Sequence, residues 1–141
     1  MKLPHTLSAR TSYLLGRAAA SVQALGEHDL QPLGISPREY SVLAVLAERS
    51  PLSQTQVAAV LGLDRTTILK LGASLEGKGL VVRARDEHDR RAYAMALTSD
   101  GDRLRERAFS LLLDCEQRFL QPLAGEQKAQ LHDLLARVID L

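Results

Sequence analysis

Nowhere in these 141 residues do 18 apolar side chains follow one another, so the chain lacks the run that a membrane-spanning helix needs. Nor does a hydrophobic region of signal-peptide type follow the opening MKLPHTLSAR, because Gly16 and Arg17 interrupt TSYLLGRAAASVQAL; a cytoplasmic protein is expected. Cysteine occurs once, as Cys115, which excludes an internal disulfide framework and any Cys-x-x-Cys zinc or redox pair. His5, His28, His88 and His132 are dispersed and no His-Glu-x-x-His accompanies them, so no metal site is expected. A glycine-rich phosphate loop and a nucleophile elbow are also missing; nothing points to an enzyme, and no cofactor is implied. Charge of one sign is scarce too, the formal net being +1.

What is present suits one globular core. At 45% hydrophobic and 25% charged, the chain is long enough for a single core of ordinary size and too short for two substantial domains. Its charge is unevenly placed. Residues 65–91 carry seven basic side chains (Arg65, Lys70, Lys78, Arg83, Arg85, Arg90, Arg91) against four acidic ones, a net of +3. Residues 99–141 carry six basic against eight acidic, a net of −2, as expected of a surface turned away from phosphate.

The punctuation of the chain is helical. Residues 11–29 place Leu14, Ala18, Val22 and Leu25 at helical spacing, and Gln31-Pro32-Leu33-Gly34 ends that run. Ser36-Pro37-Arg38-Glu39 is a capping box with proline in the first helical position, and Ser53 with Gln56 is a second box opening a short helix that Gly62 stops. Asp64 can cap the next helix, over 64–76, whose Ile68, Leu71 and Leu75 form one buried face. Residues 80–85 and 92–97 read as two strands joined by a charged turn, DEHDRR. Thr98 or Ser99 then caps a long helix to about 119, striped by Leu104, Ala108, Leu111, Leu112, Cys115 and Phe119, and a last helix over 126–141 follows Pro122 and Gly125.

Two short helices about a tight glycine turn, followed by a hairpin, form the outline of a winged helix-turn-helix, whose second helix reads the major groove of double-stranded DNA. With Ile68, Leu71 and Leu75 facing inward, Arg65, Thr66, Thr67, Leu69, Lys70 and Ala73 lie on the other side, with Ser74 a further candidate. Threonines can bond phosphates or bases, Lys70 can reach a guanine edge or a phosphate, and Leu69 can meet a thymine methyl. On the hairpin turn Arg90 and Arg91 suit the minor groove or phosphates, and His88 a phosphate or solvent. An ordinary solvated helix with basic decoration remains the alternative for the helix taken alone.

Several motifs in this chain resemble the multiple-antibiotic-resistance regulator (MarR) family of bacterial winged helix-turn-helix transcription factors. They are Leu63-Asp64-Arg65-Thr66-Thr67, Leu75-Glu76 leading into Lys78-Gly79-Leu80-Val81, Asp89-Arg90-Arg91-Ala92, and Leu97-Thr98 with Gly101. The resemblance implies a mainly α fold with a small β-hairpin wing and one MarR-like domain over 1–141. In that domain 36–98 would be the DNA-binding part, and 10–31 and 99–141 the dimerisation helices of a homodimer reading a pseudo-palindromic operator. It further implies repression relieved by a small aromatic or phenolic effector, for which Tyr13, Arg17, His28 and Tyr40 are candidate contacts. Tyr13 and Tyr40 suit a satisfied core hydroxyl equally well, and His28 a solvated helix end.

The chain departs from the family pattern at Gly72 and Ala73, where members usually carry an apolar residue and an aspartate. A mid-helix glycine costs about 0.5–1 kcal/mol relative to alanine, so a less rigid reading helix is expected. In the family that aspartate commonly anchors a wing arginine, which implies a less firmly held Arg91. A winged-helix protein-interaction module with weak or lost DNA binding, and a regulator with no small-molecule effector, stay open beside the main reading. Cys115 reads as a buried small hydrophobe of the long helix.

Overall fold

Four helices begin where the chain supplies a short polar side chain able to satisfy the free amides of a first turn. The computed structural model describes residues 3–85 and 93–139. Within them a single turn, α1 (His5–Ser8), precedes α2 (Thr11–Leu30), and a 3-10 turn (Gln31–Leu33) ends α2 as the Pro-Gly punctuation requires. Ser36 opens α3 (Pro37–Glu48): its hydroxyl accepts from the Glu39 amide at 3.2 Å while the Ser36 amide donates to Glu39 Oε2 at 2.8 Å. Ser53 and Gln56 repeat that box at the start of α4 (Gln54–Leu61). Asp64 Oδ1 accepts from the Thr67 amide at 2.9 Å to open α5 (Arg65–Gly77). Thr98, of the two candidate caps, opens α6 (Ser99–Phe119), and α7 (Gly125–Val138) closes the described chain.

The strands are β1 (Leu52–Ser53), β2 (Val81–Arg85) and β3 (Tyr93–Leu97), in the antiparallel order β1-β3-β2. Val81 pairs with Leu97 and Arg83 with Met95, while Leu52 pairs with Met95 from the other side. The hairpin expected from two apolar runs is therefore present, β2 beginning at Val81, one residue later than expected, and β1 makes it a three-stranded sheet. Leu52-Ser53 is too short to carry an alternation, which is why it was not legible as a strand. Residues 86–92, and with them His88, Arg90 and Arg91, lie outside the described residues.

Leu30, Val42, Leu43, Leu46, Val57, Ile68, Leu75, Val81, Met95 and Ala108 form one continuous core, contributed by α2 to α6 and both long strands. The C-terminal helix stands apart from it: α7 has no buried residue, and Leu134, Leu135, Val138 and Ile139 are all exposed at its surface or end. Further apolar side chains are open on α2 (Leu14, Leu15, Leu25) and α6 (Phe109, Leu113). Cys115 is buried as expected; burial and the nearby Asp29 carboxylate push its thiol above the ordinary range. Among the described residues no helix is long and apolar enough to cross a membrane.

Gly72 has a different role from the softness expected of a mid-helix glycine. It is buried, and a Cβ there would lie 2.9 Å from Gln54 Nε2 and 3.1 Å from Met95 Sδ, so its lack of a side chain lets α5 approach α4 and β3 closely. Both neighbours are ends of flexible side chains that can give way. The strain of Gly72→Ala is then set against about 1 kcal/mol of helix propensity gained. The substitution is expected to change unfolding free energy by less than about 1 kcal/mol in urea titrations.

Candidate nucleic-acid interface

The helix-turn-helix is built by α4 and α5. Gly62 takes a left-handed conformation, φ 62°, and the Leu63 amide donates to Ala58 O at 2.9 Å, so the chain reverses within a few residues and Asp64 is ready to cap α5. Ile68, Gly72 and Leu75 then face the core, with Leu71 half-buried, while Arg65, Thr66, Leu69, Lys70 and Ala73 are exposed on the other side.

Two of the candidate reading residues have local duties. Thr67 is half-buried and its hydroxyl donates to Asp64 Oδ2 at 2.6 Å; together with the Thr67 amide it holds the Asp64 carboxyl below its ordinary range. Ser74 donates to Glu39 Oε1 at 2.7 Å. Thr66, Leu69, Lys70 and Arg65 remain as the outward set.

Glu39 was legible only as the partner of Ser36, and its larger role emerges in the fold. It is 5% exposed, and besides Ser74 its Oε1 accepts from Lys78 Nζ at 2.6 Å, so one carboxylate on α3 ties down two points on and beside α5. Burial alone would raise its pKa, but the hydrogen bonds from Lys78, Ser74 and the Ser36 amide, with the Lys78 charge, outweigh it and hold the carboxyl below its ordinary value. Partners 35 and 39 residues away leave no mark in local spacing.

This pairing also refines the charge reading. Lys78 is engaged by Glu39, and Arg83 Nε donates to Glu76 Oε2 at 3.0 Å, so two of the seven cations face acids of the same chain. Arg65 and Lys70 are the exposed cations on the outward face of α5.

The candidate effector contacts do not converge within one chain. Tyr13 and Arg17, one turn apart on α2, line a shallow depression with Ser12 and Gly16. His28 lies 15 residues further along the same helix, about 22 Å at 1.5 Å per residue, beside Asp29, Pro32 and Arg118. Tyr40 packs against the core; burial raises its phenol, opposed by Arg105 and reinforced by Glu116 of α6. Tyr13 and His28 of one chain therefore cannot touch the same small ligand.

A helix-turn-helix with an exposed, cation-bearing second helix, followed directly by an antiparallel hairpin, defines a winged helix-turn-helix DNA-binding protein. The MarR family model matches residues 33–92. The HTH-type transcriptional regulator PecS of Dickeya dadantii is 32% identical over 136 residues, covering 94% of this chain and 77% of PecS. The chain belongs to the MarR family of transcriptional regulators, which are transcription factors and not enzymes.

It is also 33% identical over 105 residues, 74% of its length, to the putative transcriptional regulatory protein for the hcr operon of Thauera aromatica, and that match spans 63% of the Thauera protein. Among solved structures, the transcriptional repressor CouR bound to a 23-mer DNA duplex is 31% identical, with 99% of each chain covered and a TM-score of 0.89. CouR from Rhodococcus jostii RHA1 bound to p-coumaroyl-CoA is 32% identical over 96% of this chain and 95% of that one, with a TM-score of 0.82.

Proposed function

We propose that this regulator works as a homodimer that occludes a pseudo-palindromic operator and is released from it by a small aromatic or phenolic ligand. The carrying observation is the pairing of an outward, cation-bearing α5 with a helix, α7, that has no fully buried residue within its own chain. Open apolar side chains on α2, α6 and α7 need a cover, and a second copy of the same helices supplies one with closed symmetry. Residues 10–31 and 99–141 then form the dimer interface, and 36–98 carries one reading head per subunit, α5 in the major groove and Arg90 and Arg91 on flanking phosphates or minor groove. CouR, a repressor solved both on DNA and with a phenolic thioester, supports each half of this reading.

The effector would sit in the cleft between the dimerisation helices and the winged part, with Tyr13 and Arg17, or Tyr40, as its polar contacts, and His28, about 22 Å along α2 from Tyr13, would not share it with them. By changing the spacing of the two heads it would decide whether both engage at once. Footprinting of genomic fragments by the purified protein, repeated with phenolic acids and p-coumaroyl-CoA, tests both parts. Specific footprints lost on adding one of these compounds are expected; no specific footprint sinks the operator reading, and footprints indifferent to every ligand sink the sensor alone. On a footprinted duplex, affinity should fall steeply with salt. Arg65→Ala and Lys70→Ala should each reduce the logarithmic salt slope by about 1, and the double change Arg90→Ala with Arg91→Ala should weaken binding at least about tenfold, read by fluorescence anisotropy.

A further inference from the structure

The outward face of α5 carries methyl groups where a base-reading helix commonly carries amides. Thr66, Leu69 and Ala73 fall at i, i+3 and i+7, all exposed, and form one stripe flanked by Arg65 and Lys70. Leu69 is 46% exposed although it lies mid-helix beside the buried Ile68. It borders a cleft of about 550 Å³ between α4 and α5, walled by apolar side chains such as Ala59, Leu63 and Ile68 and rimmed by Arg65 and, from the start of α4, Gln54 and Thr55. Across the whole of α5, RTTILKLGASLEG, there is no asparagine or glutamine to make the two-bond contact that identifies adenine.

We infer that Leu69 is a specificity-determining residue that reads the 5-methyl group of thymine in each half-site, with the Thr66 and Ala73 methyls completing the contact. This rests on the operator-binding reading above. An exposed leucine on a DNA-facing helix loses contact with water only when an apolar group covers it, and in the major groove the thymine methyl is the apolar group that every A·T pair offers. Arg65 and Lys70, one on each side of the stripe, hold the phosphate backbone and keep the methyls in register; they add affinity while Leu69 adds discrimination.

Deoxyuridine differs from thymidine only by that methyl, which makes the test direct. Each thymine of one half-site in a footprinted duplex is replaced singly by deoxyuridine, and binding of the full-length protein is measured by anisotropy. At one or two positions the affinity should fall about fourfold, the value of one buried methyl-sized group. With Leu69→Ala the thymine-to-uracil ratio at those positions should drop to about one, and Leu69→Met should restore part of it. Lys70→Ala should weaken both duplexes equally and leave the ratio intact. A ratio of one at every position in the unsubstituted protein, or an unchanged ratio in Leu69→Ala, overturns the assignment while operator binding stands; failure to bind any duplex specifically overturns both.

Discussion

Gly101→Ala is expected to destabilise the protein by about 3 kcal/mol or more. A Cβ at position 101 would lie 2.1 Å from the Leu80 carbonyl oxygen, 3.0 Å from its carbon and 2.9 Å from Leu97 Cδ1. Two of those three atoms are backbone, so no rotamer change can relieve the contact, and either the first turn of α6 or the β2 end must move. Moving them breaks a compact joint: the single hydroxyl hydrogen of Thr98 is shared between Gly79 O at 2.9 Å and Leu80 O at 3.0 Å, its amide donates to Leu80 O, and its oxygen accepts from the Gly101 amide at 2.9 Å. The helix propensity gained by alanine, about 1 kcal/mol, is too small to offset this. Urea unfolding should show the midpoint drop, and Gly72→Ala under the same conditions supplies the contrast, because there the obstructing atoms are side-chain ends. Since this joint is where α6 leaves the winged part, a surviving Gly101→Ala protein should also bind operator more weakly than its folded fraction accounts for.

That contrast marks the boundary of what the sequence discloses. Helix starts were legible because the signals are local: Ser36 with Glu39, Ser53 with Gln56, Asp64 and Thr98 each satisfy an amide three residues away, and all four caps are in place. The glycine turn at 62 and the buried spacing of Ile68 and Leu75 were legible for the same reason. Close approach between distant segments is a different matter. Gly72 and Gly101 are both helical glycines, and no periodicity says that one faces side-chain tips and the other a carbonyl. Resemblance to the family marked Gly101 as part of a motif, and the Leu80 carbonyl supplies its cause. Spacing along α2 carries one further constraint: 15 residues of helix separate Tyr13 from His28, enough by itself to divide the candidate effector contacts. For the wing, His88, Arg90 and Arg91 rest on sequence alone.

Glu39→Ala should be the second large effect, and its pH dependence should identify its cause. The substitution removes half of the α3 capping box and the acceptor for both Ser74 and Lys78, a loss of about 2–4 kcal/mol. Lys78 is 37% exposed at its side chain and regains water once released, which keeps the cost from rising further. Because the Glu39 carboxyl is held below its ordinary value in the native state, its ionised form contributes stability that is fully present above the unfolded-state pKa, about 4.3 for glutamate. That contribution fades as pH falls through the lowered native value. Glu39→Gln, which can still accept from the Ser36 amide, should therefore flatten this part of the acid limb while costing less at neutral pH than Glu39→Ala. Lys78→Met should flatten the same limb while leaving the carboxylate in place: without that hydrogen bond and its cationic neighbour, burial weighs more heavily, the native Glu39 pKa moves up toward the unfolded value, and the pH window over which stability is lost narrows. Urea titrations of the unsubstituted protein and the three variants between pH 3 and 7 would separate these cases, the limiting slope being about 1.4 kcal/mol per proton per pH unit, and acid limbs in all three variants parallel to that of the unsubstituted protein would show that Glu39 is not the group responsible. A carboxylate that pins α5 to α3 also predicts a functional signature: at neutral pH, with all variants folded, Glu39→Ala should weaken operator binding although Glu39, buried behind α5, faces no DNA.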